Sequence, residues 1–255
     1  MQGGIKMNTL LRANEVIKTY EKAQRPSLNR ISFCVARGEF IGIMGASGSG
    51  KTTLLNVLST IDTPTSGEIR INGINLKQLN HTSAADFRRD HLGFIFQEYF
   101  LLDSLTIREN ISVPLTLQKL PPQQIEMMVQ NLAERFGIAP QLDKYPNELS
   151  GGQRQRASAA RAIIKQPSIL FADEPTGALD SSSATELLYA LQEANRELNT
   201  TILMVTHDAY AASFAGRILI FKDGTIIREI FRNNASRRDF YESIAAEVAK
   251  LDTER

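Results

Sequence analysis

The sequence has only one cysteine, Cys34, among 255 residues. A single thiol cannot form a disulfide within one chain, and it cannot build a metal cluster with other thiols. Cys34 lies in a strand-like stretch with no basic or catalytic residue adjacent to it in the sequence. We therefore expect it to fill the core rather than to react.

The sequence also lacks long hydrophobic runs and an excess of charge of either sign. No stretch reaches the roughly 18 apolar residues that span a bilayer, and the N-terminus has no signal-peptide core. With 29 basic and 28 acidic residues the formal net charge is +1, which gives no general reason to expect nucleic acid as a partner. We expect a cytoplasmic protein that reaches a membrane only through a partner.

A glycine-rich loop lies between a short apolar run, 40–44, and a helix-like segment, 53–58. Such a loop turns its backbone N–H groups toward a polyphosphate, and the following helix adds its positive N-terminal end. Lys51 would reach the β and γ phosphates, and the Thr52 hydroxyl would bind Mg²⁺, which prefers oxygen ligands. The order of strand, loop and helix predicts a nucleotide triphosphate site formed by Gly45, Ala46, Ser47, Gly48, Ser49, Gly50, Lys51, Thr52 and Thr53.

Three polar residues follow two further apolar runs. Asp173 and Glu174 come at the end of 169–172, and His207 follows 201–205. Ligands of open α/β sheets bind at the C-terminal ends of strands, so we expect all three side chains near the nucleotide. Asp173 suits Mg²⁺, Glu174 suits a general base for an attacking water, and His207 suits a γ-phosphate contact. A helix cap or turn is the alternative for the acidic pair, and a structural hydrogen bond is the alternative for the histidine.

A second anion site is indicated where a helix rich in alanine and arginine begins. Its N-terminus combines a hydroxyl, exposed N–H groups and a favourable dipole, provided by Ser150, Gly151, Gly152 and Gln153. Simple N-capping by Ser150 is an equal alternative. Because no second lysine accompanies this site, it would complete the nucleotide of another subunit, which requires a dimer.

Strands alternate with helices along the chain, which predicts an α/β P-loop NTPase core with a mostly parallel sheet. Residues 10–36 and 68–73 predict an N-terminal antiparallel β flap, and about 100–160 predict an inserted α-helical subdomain. The remaining predicted elements are strands at 93–96, 168–172, 201–205 and 217–221 and helices at 123–136, 152–165 and 182–198.

The tail, 231–255, predicts a helix outside the main domain, 10–230. Phe240, Ile244 and Val248 repeat every four residues, so we expect this stripe to pack on the chain's own core rather than on a partner. We expect the basic residues near the start of the tail to form a solvated face; they are Arg232, Arg237 and Arg238.

Together these motifs resemble the nucleotide-binding subunit of an ABC transporter. The resemblance implies that Gln97 binds nucleotide and Mg²⁺ as the Q-loop glutamine, and that Asp180 belongs to the D-loop. It also implies that Tyr20 stacks on adenine, with a buried core tyrosine as the alternative. ATP and Mg²⁺ would be the cofactors of an ATP-hydrolysing enzyme. Two copies would form a head-to-tail dimer, each ATP lying between one glycine loop and the other signature, 149–153.

Shorter strings narrow the resemblance. Segments 59–62, 93–97 and 172–180 resemble the branch that includes MacB, LolD and FtsE, whereas 91–99, 143–147 and 204–208 resemble the BceA type. The latter implies an integral-membrane permease at the cytoplasmic face of the membrane of a Gram-positive bacterium. It also implies resistance to antimicrobial peptides such as bacitracin or lantibiotics, and it allows a sensor histidine kinase acting through the permease.

This resemblance leaves rival functions to weigh. Residues 98–102 would give the permease an apolar docking surface. The nucleotide-site residues named above also suit a mechanotransmission ATPase of FtsE, LolD or MacB type. An ABC protein acting on nucleic acid is disfavoured by the single cassette and the balanced charge. A purely structural nucleotide-dependent dimer would lack the carboxylate present at Glu174.

Overall fold

A computed structural model gives the fold of residues 9–21 and 23–253, with side chains described to residue 250. The strands are β1 (Thr9–Lys18), β2 (Leu28–Ala36), β3 (Phe40–Met44), β4 (Ser66–Ile71), β5 (Ile74–Asn75), β6 (Leu92–Ile95), β7 (Ile169–Asp173), β8 (Ile202–Val205), β9 (Arg217–Lys222) and β10 (Thr225–Phe231). The helices are α1 (Lys51–Leu58), α2 (His81–His91), α3 (Ile107–Leu117), α4 (Pro122–Arg135), α5 (Gly151–Ile163), α6 (Ser181–Glu197), α7 (Ala209–Ala212) and α8 (Arg237–Thr253). Short 3₁₀ turns cover Leu76–Gln78, Ala139–Gln141 and Pro146–Glu148.

The central sheet has the strand order β10-β9-β3-β8-β7-β6, and only β10 runs antiparallel to its neighbour. Alternate residues of one strand pack into two different hydrophobic cores, one on each face of the sheet. On β3, Phe40 and Met44 pack with the helices α3 to α8, whereas Ile41 and Ile43 pack with α1 and the N-terminal strands. Burial on both faces is typical of parallel sheets, and it confirms the predicted α/β fold.

The N-terminal flap is an antiparallel sheet of order β2-β1-β4-β5, and its inward side chains pack on α1. The two residues between β4 and β5, Asn72 and Gly73, have φ values of 52° and 80°, so the chain turns tightly there. Cys34 lies between the buried residues Phe33 and Val35 and is only partly buried. Because neighbouring strand residues face opposite sides, Cys34 points away from this core, and the prediction that it fills the core is wrong.

Helices α3, α4 and α5 lie between β6 and β7 in the chain. They share one core with the face of the central sheet that presents Phe40 and Met44. A capping box begins α3: Thr106 accepts a hydrogen bond from the Glu109 backbone, and the Glu109 carboxylate accepts one from the Thr106 N–H. The limits of an inserted subdomain at about 100 and 160 stay a prediction.

Two substantial elements, α2 and β10, were not predicted. Helix α2 has one buried residue, Phe87, so its sequence shows no apolar stripe. Its start does have a local signal, because Asn80 caps the helix by accepting a hydrogen bond from the Ser83 N–H. None of the described helices is long and apolar enough to cross a bilayer.

The C-terminal helix α8 packs on the core of its own chain. Phe240 and Ile244 are buried, and Val248 packs against the same cluster, as its spacing predicts. The solvated face predicted for the nearby arginines is wrong for Arg237. Its guanidinium lies 4.3 Å from the Phe214 ring centroid and also over Tyr189 and Tyr210, so cation–π contacts fix the start of α8.

We expect Phe240→Ala to lower the free energy of unfolding by about 3–5 kcal/mol, because it opens a cavity beneath α8. Tyr241→Ala, at the neighbouring exposed position, should change it by less than about 0.5 kcal/mol. Urea unfolding monitored by circular dichroism measures both variants. Equal effects from the two substitutions would contradict the packing of α8.

Candidate functional site

A cavity of about 580 Å³ opens at the C-terminal ends of β3, β7 and β8. Ten of the predicted site residues line it: Ser47, Gly48, Gly50, Lys51, Thr52, Thr53, Gln97, Asp173, Glu174 and His207. Gly45, Ala46 and Ser49 line an adjoining cavity of about 370 Å³, together with His207 and Val248. The loop from β3 to α1 therefore borders two cavities, and the larger one contains Lys51, Asp173 and Glu174.

Close backbone approaches explain two glycines of this loop, Gly45 and Gly50. Gly50 has φ of +104°, and a Cβ atom there would lie 2.3 Å from the Ser27 carbonyl oxygen. A Cβ atom at Gly45 would lie 2.2 Å from the Phe221 carbonyl oxygen. No side chain caps the N-terminus of α1, so its first N–H groups are available to an anion. Ser27 lines the cavity as well, although no motif marked it.

Burial disfavours the charged forms of both Lys51 and Asp173. The Lys51 Nζ donates hydrogen bonds of 2.8 Å to the carbonyl oxygens of Gly45 and Ala46. Burial lowers the pKa of Lys51, although the nearby Glu174 and Asp173 carboxylates act in the other direction. Burial and the Glu174 charge raise the pKa of Asp173, against a smaller opposing effect of Lys51. The cavity thus holds charges that the protein itself compensates only in part.

Glu174 and His207 are joined by a hydrogen bond of 2.9 Å between Oε1 and Nδ1. Glu174 is largely shielded, whereas His207 is 72% exposed at the mouth of the cavity. The Glu174 backbone has φ of 46°, which is uncommon for a residue with a side chain. Its N–H donates to the Val205 carbonyl oxygen at 2.9 Å, which ties the turn after β7 to β8.

Oxygen donors of Thr52, Gln97 and Asp173 share both the large cavity and a smaller one of about 290 Å³. No group of three or more His, Cys, Asp or Glu side chains in the described residues could hold a metal on its own. Mg²⁺ commonly takes one or two protein oxygens and completes its shell with phosphates and water. This donor set therefore fits Mg²⁺ held together with a polyphosphate.

The signature residues lie apart from this cavity, at the start of α5. Ser150 forms a capping box with Gln153: its hydroxyl accepts from the Gln153 N–H at 3.3 Å, and its N–H donates to the Gln153 side chain at 3.0 Å. Gly151 and Gly152 follow at the first positions of the helix, and a Cβ atom at Gly152 would collide with Ser183. The N-capping alternative for Ser150 is thus present, and the anion site stays a prediction.

Two other predicted residues also lie outside the large cavity. Asp180 caps α6, and hydrogen bonds from Ser183 and then Ser182 lower its pKa. Tyr20 is 43% exposed, which rules out the buried core alternative. Its hydroxyl donates to Asp62 at 3.1 Å, and Lys18 lies 4.9 Å from its ring centroid. The ring is therefore held at the surface with one face near a cation.

Comparison with known proteins decides the family. A family model described as "ABC transporter" matches residues 28–177, which include the glycine loop, the signature and the acidic pair. The chain belongs to the ABC transporter family. The predicted resemblance is therefore confirmed, and this ABC protein binds and hydrolyses ATP.

Its relatives agree with the predicted branch. The "Bacitracin export ATP-binding protein BceA" of Halalkalibacterium halodurans is 51% identical over 92% of this chain and 94% of the relative. A "Macrolide export ATP-binding/permease protein MacB" of Vibrio parahaemolyticus is 46% identical over 79% of this chain but only 31% of the relative. A solved structure of "a post-hydrolysis state of the ATP-binding cassette MJ0796 bound to ADP and Pi" is 35% identical and has a TM-score of 0.79. The match covers 87% of this chain and 98% of that chain.

We expect Asp173→Asn to raise the thermal unfolding midpoint of this ABC protein at neutral pH without nucleotide. A raised pKa means that ionised Asp173 destabilises the folded chain relative to the unfolded chain, and asparagine removes that charge. The protonated carboxyl stabilises the fold below its ordinary pKa, about 3.9, and this contribution is lost as pH rises through the raised value. The gain should therefore shrink on acidification.

Differential scanning fluorimetry over a pH series measures this effect. Asp103→Asn, at an exposed position outside the cavity, is the matched control and should show no such gain. A lower midpoint for Asp173→Asn at neutral pH would contradict the electrostatic account of the cavity.

Proposed function

We propose that this chain is the ATP-hydrolysing subunit of a transporter whose separate permease provides resistance to antimicrobial peptides. The observation that supports the enzymatic part best is the meeting of Lys51, Asp173, Glu174 and His207 in one cavity beside the glycine loop. The relative named for bacitracin export, at 51% identity over nearly the whole chain, supports the physiological part.

In the proposed mechanism the glycine loop and Lys51 bind the phosphates, and Glu174 accepts a proton from the water that attacks the γ phosphorus. His207 orients that carboxylate through its Nδ1 hydrogen bond, and the rest of its side chain is exposed. Thr52, Gln97 and Asp173 would hold Mg²⁺, which neutralises phosphate charge when bound. Tyr20 would stack on adenine.

A second copy would complete the site. Ser150, Gly151, Gly152 and Gln153 do not line their own cavity, yet they sit at the N-terminus of α5, where backbone N–H groups attract anions. In the proposed head-to-tail dimer they would meet the ATP of the other copy, with Asp180 nearby. ATP would then favour closure because its phosphates contact both subunits, and hydrolysis would remove those contacts.

The permease would dock on the loop after β6. Phe100 and Leu102 are 59% and 50% exposed there, which is unusual for large apolar side chains. The loop is nevertheless held firmly. Asn110 is fully buried and hydrogen-bonds both the N–H and the carbonyl of Leu102, and Arg161 donates to the Phe100 carbonyl at 2.6 Å. A rigid apolar surface of this kind fits a partner helix from an integral-membrane permease at the cytoplasmic face of the membrane.

We expect Glu174→Gln to lower the turnover number by about 10²–10⁴-fold, because the amide cannot accept the water's proton. Affinity for ATP should stay close to that of the unchanged chain, since Lys51 and the glycine loop are intact. Phosphate release and ATP titration measure the two effects, with Glu193→Gln on the exposed side of α6 as control. Near-normal turnover would remove Glu174 from the role of base.

We expect Phe100→Ala to reduce recovery of the membrane partner with the affinity-tagged chain, because the docking surface loses its most exposed aromatic ring. Phe231→Ala removes a similarly exposed ring from β10 and should leave recovery unchanged. The measurement is quantitative mass spectrometry of detergent-solubilised complexes trapped with ATP in the Glu174→Gln background. Equal loss in both variants would contradict docking at this loop.

The identity of that partner separates export from the rival function. A permease of about ten predicted spans with a large extracellular domain would support peptide-antibiotic resistance, and a sensor histidine kinase recovered with it would extend the proposal. A four-span partner would instead favour the mechanotransmission or MacB-like role.

A further inference from the structure

Gln155, a buried residue on the second turn of α5, contacts the backbone next to Gln97 and next to Glu174. These contacts lie just after β6 and just after β7. The Gln155 side chain is fully buried. The Nε2 group donates hydrogen bonds of 2.8 Å to the Phe96 carbonyl oxygen and 2.7 Å to the Pro175 carbonyl oxygen. We infer that Gln155 is a positioning residue for ATP hydrolysis, which sets the places of Gln97 and Glu174 relative to the signature helix.

The two acceptor carbonyls lie next to the residues that matter. The Phe96 carbonyl belongs to the planar peptide group that also contains the Gln97 nitrogen, so holding the oxygen fixes where Gln97 begins. The Pro175 carbonyl lies within the turn that the Gly177 N–H closes on the Glu174 carbonyl. One amide thus holds the backbone just before Gln97 and just after Glu174, and no other described side chain donates to both carbonyls.

The orientation of this amide is determined by its surroundings. Both Nε2 hydrogens point to carbonyl oxygens, so the opposite orientation would place Oε1 against two acceptors. The Gln155 Oε1 atom itself is buried and has no hydrogen-bond partner among the described residues. Burying an acceptor without a partner costs stability, and such a cost is tolerated where a position serves function.

The turn at Glu174 needs such support. Glu174 combines φ of 46° with a following proline, and a residue before proline prefers extended backbone. A backbone in an uncommon region persists only when several contacts determine it. Here the contacts are the Glu174 N–H to Val205, the Gly177 N–H to the Glu174 carbonyl at 3.0 Å, and Gln155. Without Gln155 the carboxylate would lose part of its fixed direction toward the cavity.

The same helix begins with the signature residues Gly151, Gly152 and Gln153, the last of which is two positions before Gln155. A displacement of α5 therefore acts at once on Gln97 and Glu174, so the first turn of the helix and the catalytic turn behave as one unit. The inference rests on the proposed role of Glu174 as the base, and the test is designed to separate the two.

Gln155→Met keeps the length and volume of the side chain but removes both donors. We expect kcat to fall by about 10–100-fold, because small displacements of positioned groups cost about that much. KM and the ATP dissociation constant should stay within about threefold, since Lys51 and its loop are unaffected. Gln192→Met is the matched control: it also removes a hydrogen bond from Nε2 to a carbonyl, that of Phe214, and should leave kcat unchanged.

A double variant distinguishes positioning from general damage. The part of the Gln155→Met effect that acts through Glu174 should be absent in the Glu174→Gln background, so the double variant should slow single-turnover phosphate release by less than the product of the two single losses. Multiplied losses in the double variant, or normal kcat for Gln155→Met, would overturn the inference. Fast turnover of Glu174→Gln alone would instead reject Glu174 as the base. The kcat of Gln155→Met would still test whether Gln155 affects ATP hydrolysis.

If Gln155→Met does not fold, Gln155→Asn provides the test. Asparagine keeps the amide but withdraws it by one methylene, so it cannot reach both carbonyls. A folded Gln155→Asn variant with normal kcat would equally overturn the inference, and reduced kcat with retained ATP affinity would support it.

Discussion

The parallel pairing of β8 with its two neighbours is the constraint on which the site depends. Val205 lies in register with Ile43 on one side and with Asp173 on the other. Adjacent strands are about 4.8 Å apart, so three chain segments leave the sheet side by side at one edge. The glycine loop, the acidic turn and the segment with His207 meet there, and the hydrogen bond between Glu174 and His207 joins two of them. A slip in this register would separate the phosphate-binding loop from the carboxylates.

That convergence has an energetic cost. Lys51 and Asp173 are both partly removed from water, and Asp173 also faces the Glu174 charge. Burial opposes ionisation of each group, while their mutual attraction offsets only part of that penalty. Glu174 adds an uncommon backbone conformation. Sites that bind a charged ligand often reduce the stability of the free protein in this way, and the rest of the fold compensates with two large apolar cores on the two faces of the sheet.

Much of this arrangement could be predicted from the sequence because its signals are local. The glycine loop between an apolar run and a helix, the carboxylates after β7 and His207 after β8 are read from short segments. What could not be predicted depends on tertiary packing. Ser27 reaches the cavity only because the flap folds over the loop, and Gln155 looks like an ordinary polar residue of an exposed helix. The core role expected for Cys34 and the solvated face expected for Arg237 failed because a pattern does not tell which face of an element is covered.

The partly buried position of Cys34 has a practical consequence. It is the chain's only cysteine, and it lies on β2 beyond the residues that line the nucleotide cavity. A thiol-reactive spin label or fluorophore would therefore attach at one defined point without altering other residues. In a pair of copies the two labels would be related by symmetry, and the distance between them would report directly on how far the flaps approach one another when ATP is added.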